Sequence, residues 1–294
     1  MKILVTGVTG FIGQNLVNKL ISNNHEVHAL IRAESDTSSI NTQVSLSIYT
    51  ENISDLIKFF KEEKFDGLIH LASLFLAAHT PNDISKLINS NIQFGTDLLE
   101  ACVSTDVTWF INTGTFWQNY ENEDYNPVNL YAATKEAFES MAKFYTQTSR
   151  LVFTNIKLND TFGANDTRAK VFNLWTKLAS SGERLSMSAG EQIIDISYID
   201  DVINAYIKLV NLLEENANEH KDKTYVVSNA EKPSLKDLSA IFEKATSSKL
   251  DIDWGGREYR YREVMFPYSL GSPVPGWKQE HTLEEAIRKT VKEE

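Results

Sequence analysis

Three glycines at three-residue spacing, Gly7, Gly10 and Gly13 in TGVTGFIG, stand between the apolar run KILVT and an amphipathic run that opens at Phe11. A glycine turn between a first strand and a first helix lets the backbone come close to an anion. The helix N-terminus then offers free N–H groups and the positive end of its dipole. The spacing is G-x-x-G-x-x-G rather than G-x-G-x-x-G. A glycine turn without a ligand is the plain alternative. Its position directly after the first strand favours a dinucleotide pyrophosphate, held by Gly7, Thr9, Gly10, Phe11, Ile12 and Gly13.

The pattern that follows supports this. Apolar runs at 2–7, 26–32, 44–49, 65–73, 107–114 and 151–158 alternate with helical patterns at 11–22, 53–63, 83–103 and from Tyr131 onward. Strands that are almost continuously apolar and separated by helices predict a parallel sheet covered on both faces. The expected fold is α/β: a Rossmann-like, doubly wound parallel sheet with a smaller, mixed C-terminal substrate lobe. The sequence divides into a dinucleotide-binding domain over 1–160 and the lobe over 161–294, with 193–213 packing back on the first domain. Further helices are expected at 171–180, to about 215 after a turn at 196, at 233–246 behind Ser234, and from Thr282, which stands at capping-box spacing from Glu285. A short strand is expected at 224–230, and EENANEHKDK (214–223) reads as a solvated loop.

The formal net charge of −11 repels nucleic acid and anionic membrane, so neither is an expected partner. Cys102 is the single cysteine; it allows no disulfide within the chain and reads as a small buried apolar residue. The apolar runs are too short to span a bilayer, and the N-terminus lacks the longer apolar region of a signal peptide. A cytoplasmic protein is expected. The histidines show no metal-ligand spacing, so no metal site is expected.

Strand two ends in LIRAES. Ile31 stands where an acid would bind the ribose hydroxyls of NAD, and Arg32 follows, suited to a 2′-phosphate. NADP is therefore the first expectation and NAD the second, with Glu34 and Asp36 near enough to serve an NAD ribose. Tyr131 and Lys135 lie four residues apart on one side of a helix. Ala137, Phe138, Met141, Phe144 and Tyr145 form its expected apolar stripe, which puts the pair on the flank. Alone, it reads as a half-buried tyrosine beside a snorkelling lysine. However, strand five runs into NTGT, offering Thr113 and Thr115, and strand four ends in HLAS, with Leu71, Ala72 and Ser73. Both ends fall at the sheet edge where open α/β sheets bind ligands.

In order along the chain, TGVTGFIG, DGLIHLAS, NSNIQFGTDLLEAC, FINTGT, YAATK, LNDTFG, SYIDDV, REYRYREVMFP and PGWKQEHTLEEAI resemble the extended short-chain dehydrogenase/reductases of the nucleotide-sugar epimerase/dehydratase group. NTGTFWQNY…YNPVNLYAATK and DTFGANDTRAK look most like the CDP-abequose or CDP-paratose synthase type. The resemblance implies that Tyr131 gives a proton to a sugar carbonyl oxygen as hydride arrives from the nicotinamide. Lys135 would lower the tyrosine pKa and bind the nicotinamide ribose, and Thr115 would hydrogen-bond the reacting oxygen, with Thr113 as the alternative register. Leu71, Ala72 and Ser73 would line the cofactor. Asn91 matches a helix asparagine with a structural role.

Thr115 is followed by Phe116, Trp117 and Gln118, where family dehydratases carry acids. Dehydration is therefore disfavoured, leaving a reductase of a 4-keto-6-deoxy nucleotide sugar or a 4-epimerase with tightly bound NAD. A dinucleotide-binding regulator would not need the three reacting residues. A nucleoside diphosphate needs local cations. Arg257, Arg260 and Arg262 lie close together, and in an extended segment Arg260 and Arg262 share a face. Arg168 and Lys170 stand beside the entrance, and Asp160 stands where the family often has asparagine. Trp117 reads equally as pocket or core, and Gln118 and Tyr120 could line the sugar. Asp200 and Asp201 read as caps of the following helix. The resemblance also implies a homodimer through the helices near 83–103 and 131–146.

Overall fold

The computed structural model describes residues 1–292. Its first half runs β1 (Lys2–Thr6), α1 (Phe11–Ser22), β2 (Glu26–Ile31), β3 (Ser45–Ile48), α2 (Ile53–Glu63), β4 (Gly67–His70), α3 (Ile84–Ile88), α4 (Phe94–Val103), β5 (Trp109–Thr115), α5 (Leu130–Thr148) and β6 (Val152–Leu158). The second half runs β7 (Asp160–Phe162), α6 (Val171–Ser181), β8 (Arg184–Met187), β9 (Ile196–Tyr198), α7 (Ile199–Asn216), β10 (Thr224–Val227), α8 (Leu235–Thr246), β11 (Asp251–Trp254), β12 (Ser272–Pro273) and α9 (Leu283–Lys292).

Eight strands form one sheet in the order β12-β10-β6-β5-β4-β1-β2-β3. Every pairing in it is parallel. The order reverses between β1 and β4, which opens a crevice at the strands' C-terminal ends. Alternate residues of each strand feed opposite layers. Ile3 and Val5 pack with α1, α7, α8 and α9, while Leu4 and Phe110 pack with α2, α4 and α5. Each fully buried aliphatic or Phe side chain contributes roughly 1.5–3 kcal/mol, which explains why these strands read as mostly apolar runs.

Beyond residue 160 the chain returns twice to the sheet, through β10 and β12. Two small parallel pairs, β7 with β9 and β8 with β11, build the region over the C-terminal edge. Residues 293 and 294, the end of the lobe expected from the sequence, lie outside the described residues. Asn52 caps α2, Ser234 caps α8, and Thr282 with Glu285 forms the box at α9.

Several expectations need correction. The segment 214–223 is not a plain solvated loop: α7 continues to Asn216, a 3-10 turn follows, and His220 is buried with Nδ1 2.7 Å from the Tyr225 hydroxyl. Asp200 and Asp201 do not cap α7. Tyr198 stands at that position, and Asp201 is buried, accepting the Glu280 N–H at 2.9 Å. Residues 257–263 are not extended: Glu263 N–H closes a turn on Arg260, and Arg262 has φ +59°. The stripe expected on α5 is also misplaced. Met141 and Phe144 are exposed, whereas Lys135, Phe138 and Ala142 are buried. The Phe138 ring meets Phe110 and Phe153 of the sheet, so the buried line runs through 135, 138 and 142.

Candidate active site

The glycine turn, the residues after β4 and the end of β5 meet at the reversal point of the sheet. Gly7 has φ +75°, and a Cβ there would come within 2.7 Å of Ala72 N. A Cβ on Gly13 would lie 2.2 Å from Gly7 O. No side chain caps α1 at Gly10, and its first turn carries no acid, so its opening N–H groups face outward for an anion. These residues fit a dinucleotide pyrophosphate. Ala72 N–H donates to Thr6 Oγ1 at 3.3 Å, which holds the Leu71–Ser73 segment against β1. Gln14 Nε2 ties Thr9 O (3.1 Å) to Ser39 Oγ (2.8 Å) on the loop beyond β2. Arg32 is 78% exposed at the end of β2, with Nε 3.3 Å from Glu34.

Helix α5 is capped by Asn129, whose Oδ1 accepts the Ala132 N–H at 2.9 Å and whose Nδ2 donates to Leu76 O and Ala77 O. Tyr131 is half-buried. Burial pushes its phenol up to about 12, and an interaction with Ser73 pulls the other way. One turn on, Lys135 is 1% exposed rather than snorkelling on a flank. Burial lowers its ammonium to about 8, opposed by the charge of Glu139.

Thr115 ends β5. Its Oγ1 accepts the Trp117 N–H at 3.3 Å, which leaves its own O–H available as a donor. Thr113, the alternative, is committed to the Tyr206 hydroxyl at 2.6 Å. Asn91 sits in a π-helical segment, Asn89–Gln93, between α3 and α4. It clasps Leu74 by both backbone groups (2.7 and 3.0 Å) and donates to Thr134 Oγ1 at 2.9 Å.

A cavity of about 700 Å³ opens beside this edge, lined among others by Phe116, Trp117, Asn129, Asp160, Arg260 and Arg262. Trp117 is therefore a pocket residue. The Phe75 ring lies 5.0 Å from the Tyr131 ring and 5.5 Å from the Trp117 ring, and Lys170 Nζ is 5.4 Å from Phe75. Lys170 also holds Asp160 at 2.6 Å. Arg257 lines the same cavity. Arg262 donates to Asn126 Oδ1 and lies over the Tyr120 ring at 4.3 Å. Arg168 is not among the cavity's lining residues: Asp166 and Thr161 occupy its guanidinium, and it stacks on Phe11 at 4.6 Å. Gln118 is not there either; it is buried behind Thr115.

The model of the NAD dependent epimerase/dehydratase family matches residues 3–228. The chain belongs to that family. It is an enzyme of the extended short-chain dehydrogenase/reductase type, built for a nicotinamide dinucleotide. It is 30% identical to a CDP-abequose synthase of Salmonella muenchen, over 99% of this chain and 97% of the relative. A CDP-abequose synthase of Yersinia pseudotuberculosis is 27% identical over 91% and 92%. UDP-glucose 4-epimerase of Thermotoga maritima, solved with UDP-glucose, superposes with TM-score 0.86 at 22% identity over 100% of this chain and 98% of that one. UDP-glucuronic acid 4-epimerase of Bacillus cereus, solved with its sugar nucleotide and NAD, gives 0.84 at 20% identity, with the same coverage.

Within this epimerase/dehydratase fold, sequence reasoning missed Phe75, Asn129 and the wall at 192–196. Asn129 had a readable signal, an asparagine directly ahead of a helical pattern. Phe75 had a weaker one, an apolar residue in a loop. The 192–196 wall had none. Among the described residues no helix is long and apolar enough to cross a membrane, and no cluster of metal-ligating side chains occurs.

Proposed function

We propose that this enzyme reduces a 4-keto-6-deoxy nucleotide sugar, with Tyr131 as the proton donor. A dinucleotide held by the Gly7–Gly13 turn would supply the hydride. Tyr131 gives its proton to the carbonyl oxygen, and Thr115 donates a hydrogen bond to the same oxygen. The buried Lys135 ammonium stabilises the phenolate that remains. Arg262 and Arg260, with Arg257 beside them, hold the diphosphate, because a guanidinium fork suits phosphate. Trp117 and Asp160 face the sugar, with Lys170 holding Asp160 in place.

The observation that carries the reading is the wall next to Thr115. Phe116 and Trp117 form it, so no carboxylate stands there to remove a proton for dehydration. The cavity's other carboxylates are occupied. Asp160 pairs with Lys170, Glu263 accepts the Arg260 N–H, and Asp195 accepts from Ser228 and Asn229. The full-length likeness to CDP-abequose synthases supports the same direction. The test is oxidation of NADPH or NADH by purified protein with a CDP-4-keto-6-deoxy sugar. Saturable turnover is expected; its absence in folded protein that binds the dinucleotide would overturn the proposal.

The exposed Arg32 supports NADP as the preferred dinucleotide. Its pairing with Glu34, together with epimerase neighbours solved with NAD, favours a second reading, a 4-epimerase with tightly held NAD. Copurified NAD and sugar interconversion without added cofactor would select it. We also place the enzyme in the cytoplasm, where the lone buried Cys102 stays a thiol, and propose a homodimer. Ile84 and Ile88 on α3 and Met141 and Phe144 on α5 are exposed apolar side chains, and burial against a second copy would remove them from water. Light scattering after gel filtration reads the mass.

A further inference from the structure

Gln118 has 0% exposure, although it follows two residues that wall the cavity. Its Oε1 accepts the Thr115 N–H at 2.8 Å. Its Nε2 donates to Glu136 Oε2 at 2.6 Å and Glu139 Oε1 at 2.9 Å. The orientation of this amide is forced, because a flipped one would set its oxygen against two carboxylates and its nitrogen against an N–H. A Cβ on Gly114 would lie 2.9 Å from Gln118 Oε1 and 3.0 Å from Glu139 Oε1. The network therefore presses on the strand one residue before Thr115.

Glu139 lies one turn beyond Lys135, as Lys135 lies one turn beyond Tyr131. Asn155 on β6 donates to Glu139 Oε2 at 3.3 Å. The charged groups that act on Glu139 are Lys135 and Glu136 from α5 and Lys157 from β6, with Gln118 as hydrogen-bond donor.

We propose that Gln118 is a positioning residue that fixes the backbone of Thr115 and, through Glu139, sustains the charge on Lys135. This rests on Thr115, Tyr131 and Lys135 being the reacting set. Two consequences follow from the geometry. Without the amide, the Thr115 N–H is left buried without an acceptor, and the turn at Phe116–Gln118 loses half of its reciprocal cap. Burial also holds the Glu139 carboxyl above its ordinary value, while Lys157 and the Gln118 hydrogen bond hold it down. Losing Gln118 removes one of the groups that hold the Glu139 carboxyl down, and so weakens the negative charge that faces the Lys135 ammonium.

The test uses Gln118→Leu, Gln118→Met and Gln118→Glu in the full chain. Lys135 is titrated by 13Cε lysine NMR in the resting protein and assigned with a Lys135 variant. The pH profile of kcat/KM is measured in parallel. Gln118→Leu should lower the Lys135 midpoint by roughly 0.5–1 pH and shift the falling alkaline limb the same way. Its kcat should drop roughly 10- to 100-fold with KM little changed. Gln118→Glu sets its second oxygen against Glu136 and Glu139, so it takes a proton and donates there as the amide does; its midpoint, limb and kcat should stay near wild type. Gln118→Met, with the same expected shifts as leucine, carries the test if the leucine variant fails to fold. A folded leucine or methionine variant whose midpoint and limb stay at wild-type positions overturns the proposal. An inactive wild type counts against the catalytic assignment instead, and the resting titration still decides the role of Gln118.

Discussion

Replacing Lys135 with methionine keeps most of the stem and deletes the ammonium that burial penalises. The wild-type group is 1% exposed and drawn down from 10.5 to about 8. Between those values the folded protein binds fewer protons than the unfolded chain, so wild-type stability rises as pH climbs through that window. At pH 7 the wild type carries the whole penalty, roughly 3 kcal/mol. By pH 9.5 roughly 2 kcal/mol of it has been relieved. Methionine does not titrate, so the variant's stability relative to wild type should fall by about 2 kcal/mol from pH 7 to 9.5. Urea unfolding of both proteins at both pH values reads the difference. Turnover of the same variant should fall roughly 10²- to 10⁴-fold. If the stability difference between the proteins is the same at the two pH values within about 0.5 kcal/mol, Lys135 is not desolvated as described, and the electrostatic reasoning fails.

Tyr131→Phe removes the proton donor, and kcat should fall roughly 10²- to 10⁴-fold while dinucleotide affinity by fluorescence titration stays near wild type. Asn91→Leu strips Leu74 of both its backbone partners and Thr134 of a donor. A loss of about 3 kcal/mol is expected in urea unfolding, and a loss under about 1 kcal/mol would show that the clasp is weak. Gly13→Ala places a methyl 2.2 Å from Gly7 O. Displacing the turn should cost about 1–3 kcal/mol of stability, and calorimetric titration should show weaker dinucleotide binding.

The sheet was legible because β1, β4 and the start of β5 are buried on both faces, which writes apolar residues at successive positions, Ile3–Val5, Leu68–Ile69 and Trp109–Ile111, rather than at every second one. The glycine turn was legible because Gly13 has no space for a side chain and Gly7 needs a positive φ. The buried face of α5 was not legible. Hydropathy favours Met141 and Phe144 over Lys135, and only the contact of Phe138 with β5 and β6 shows which side turns inward. The turn at Arg260–Glu263 was hidden because its sharpest residue, Arg262, takes a left-handed conformation usually left to glycine or asparagine. Gln118 could not be read as buried either. Its partners Glu136 and Glu139 lie on another element, and no local pattern announces an amide clamped between two carboxylates.

The strand order also sets a schedule for synthesis on the ribosome. The layer holding Leu4, Phe60, Leu98, Phe138 and Phe153 draws its buried residues from positions no later than 153. Once β6 has emerged, that side of the sheet can close completely. The opposite layer cannot, because Ile3, Leu16, Trp109 and Ile156 wait for α7, α8 and α9, whose last buried residues are Ala286 and Ile287. For well over a hundred residues of translation, the nascent protein presents one finished face and one face that α1 alone partly covers. That interval, rather than the completed enzyme, is when it is most exposed to aggregation and in greatest need of a chaperone.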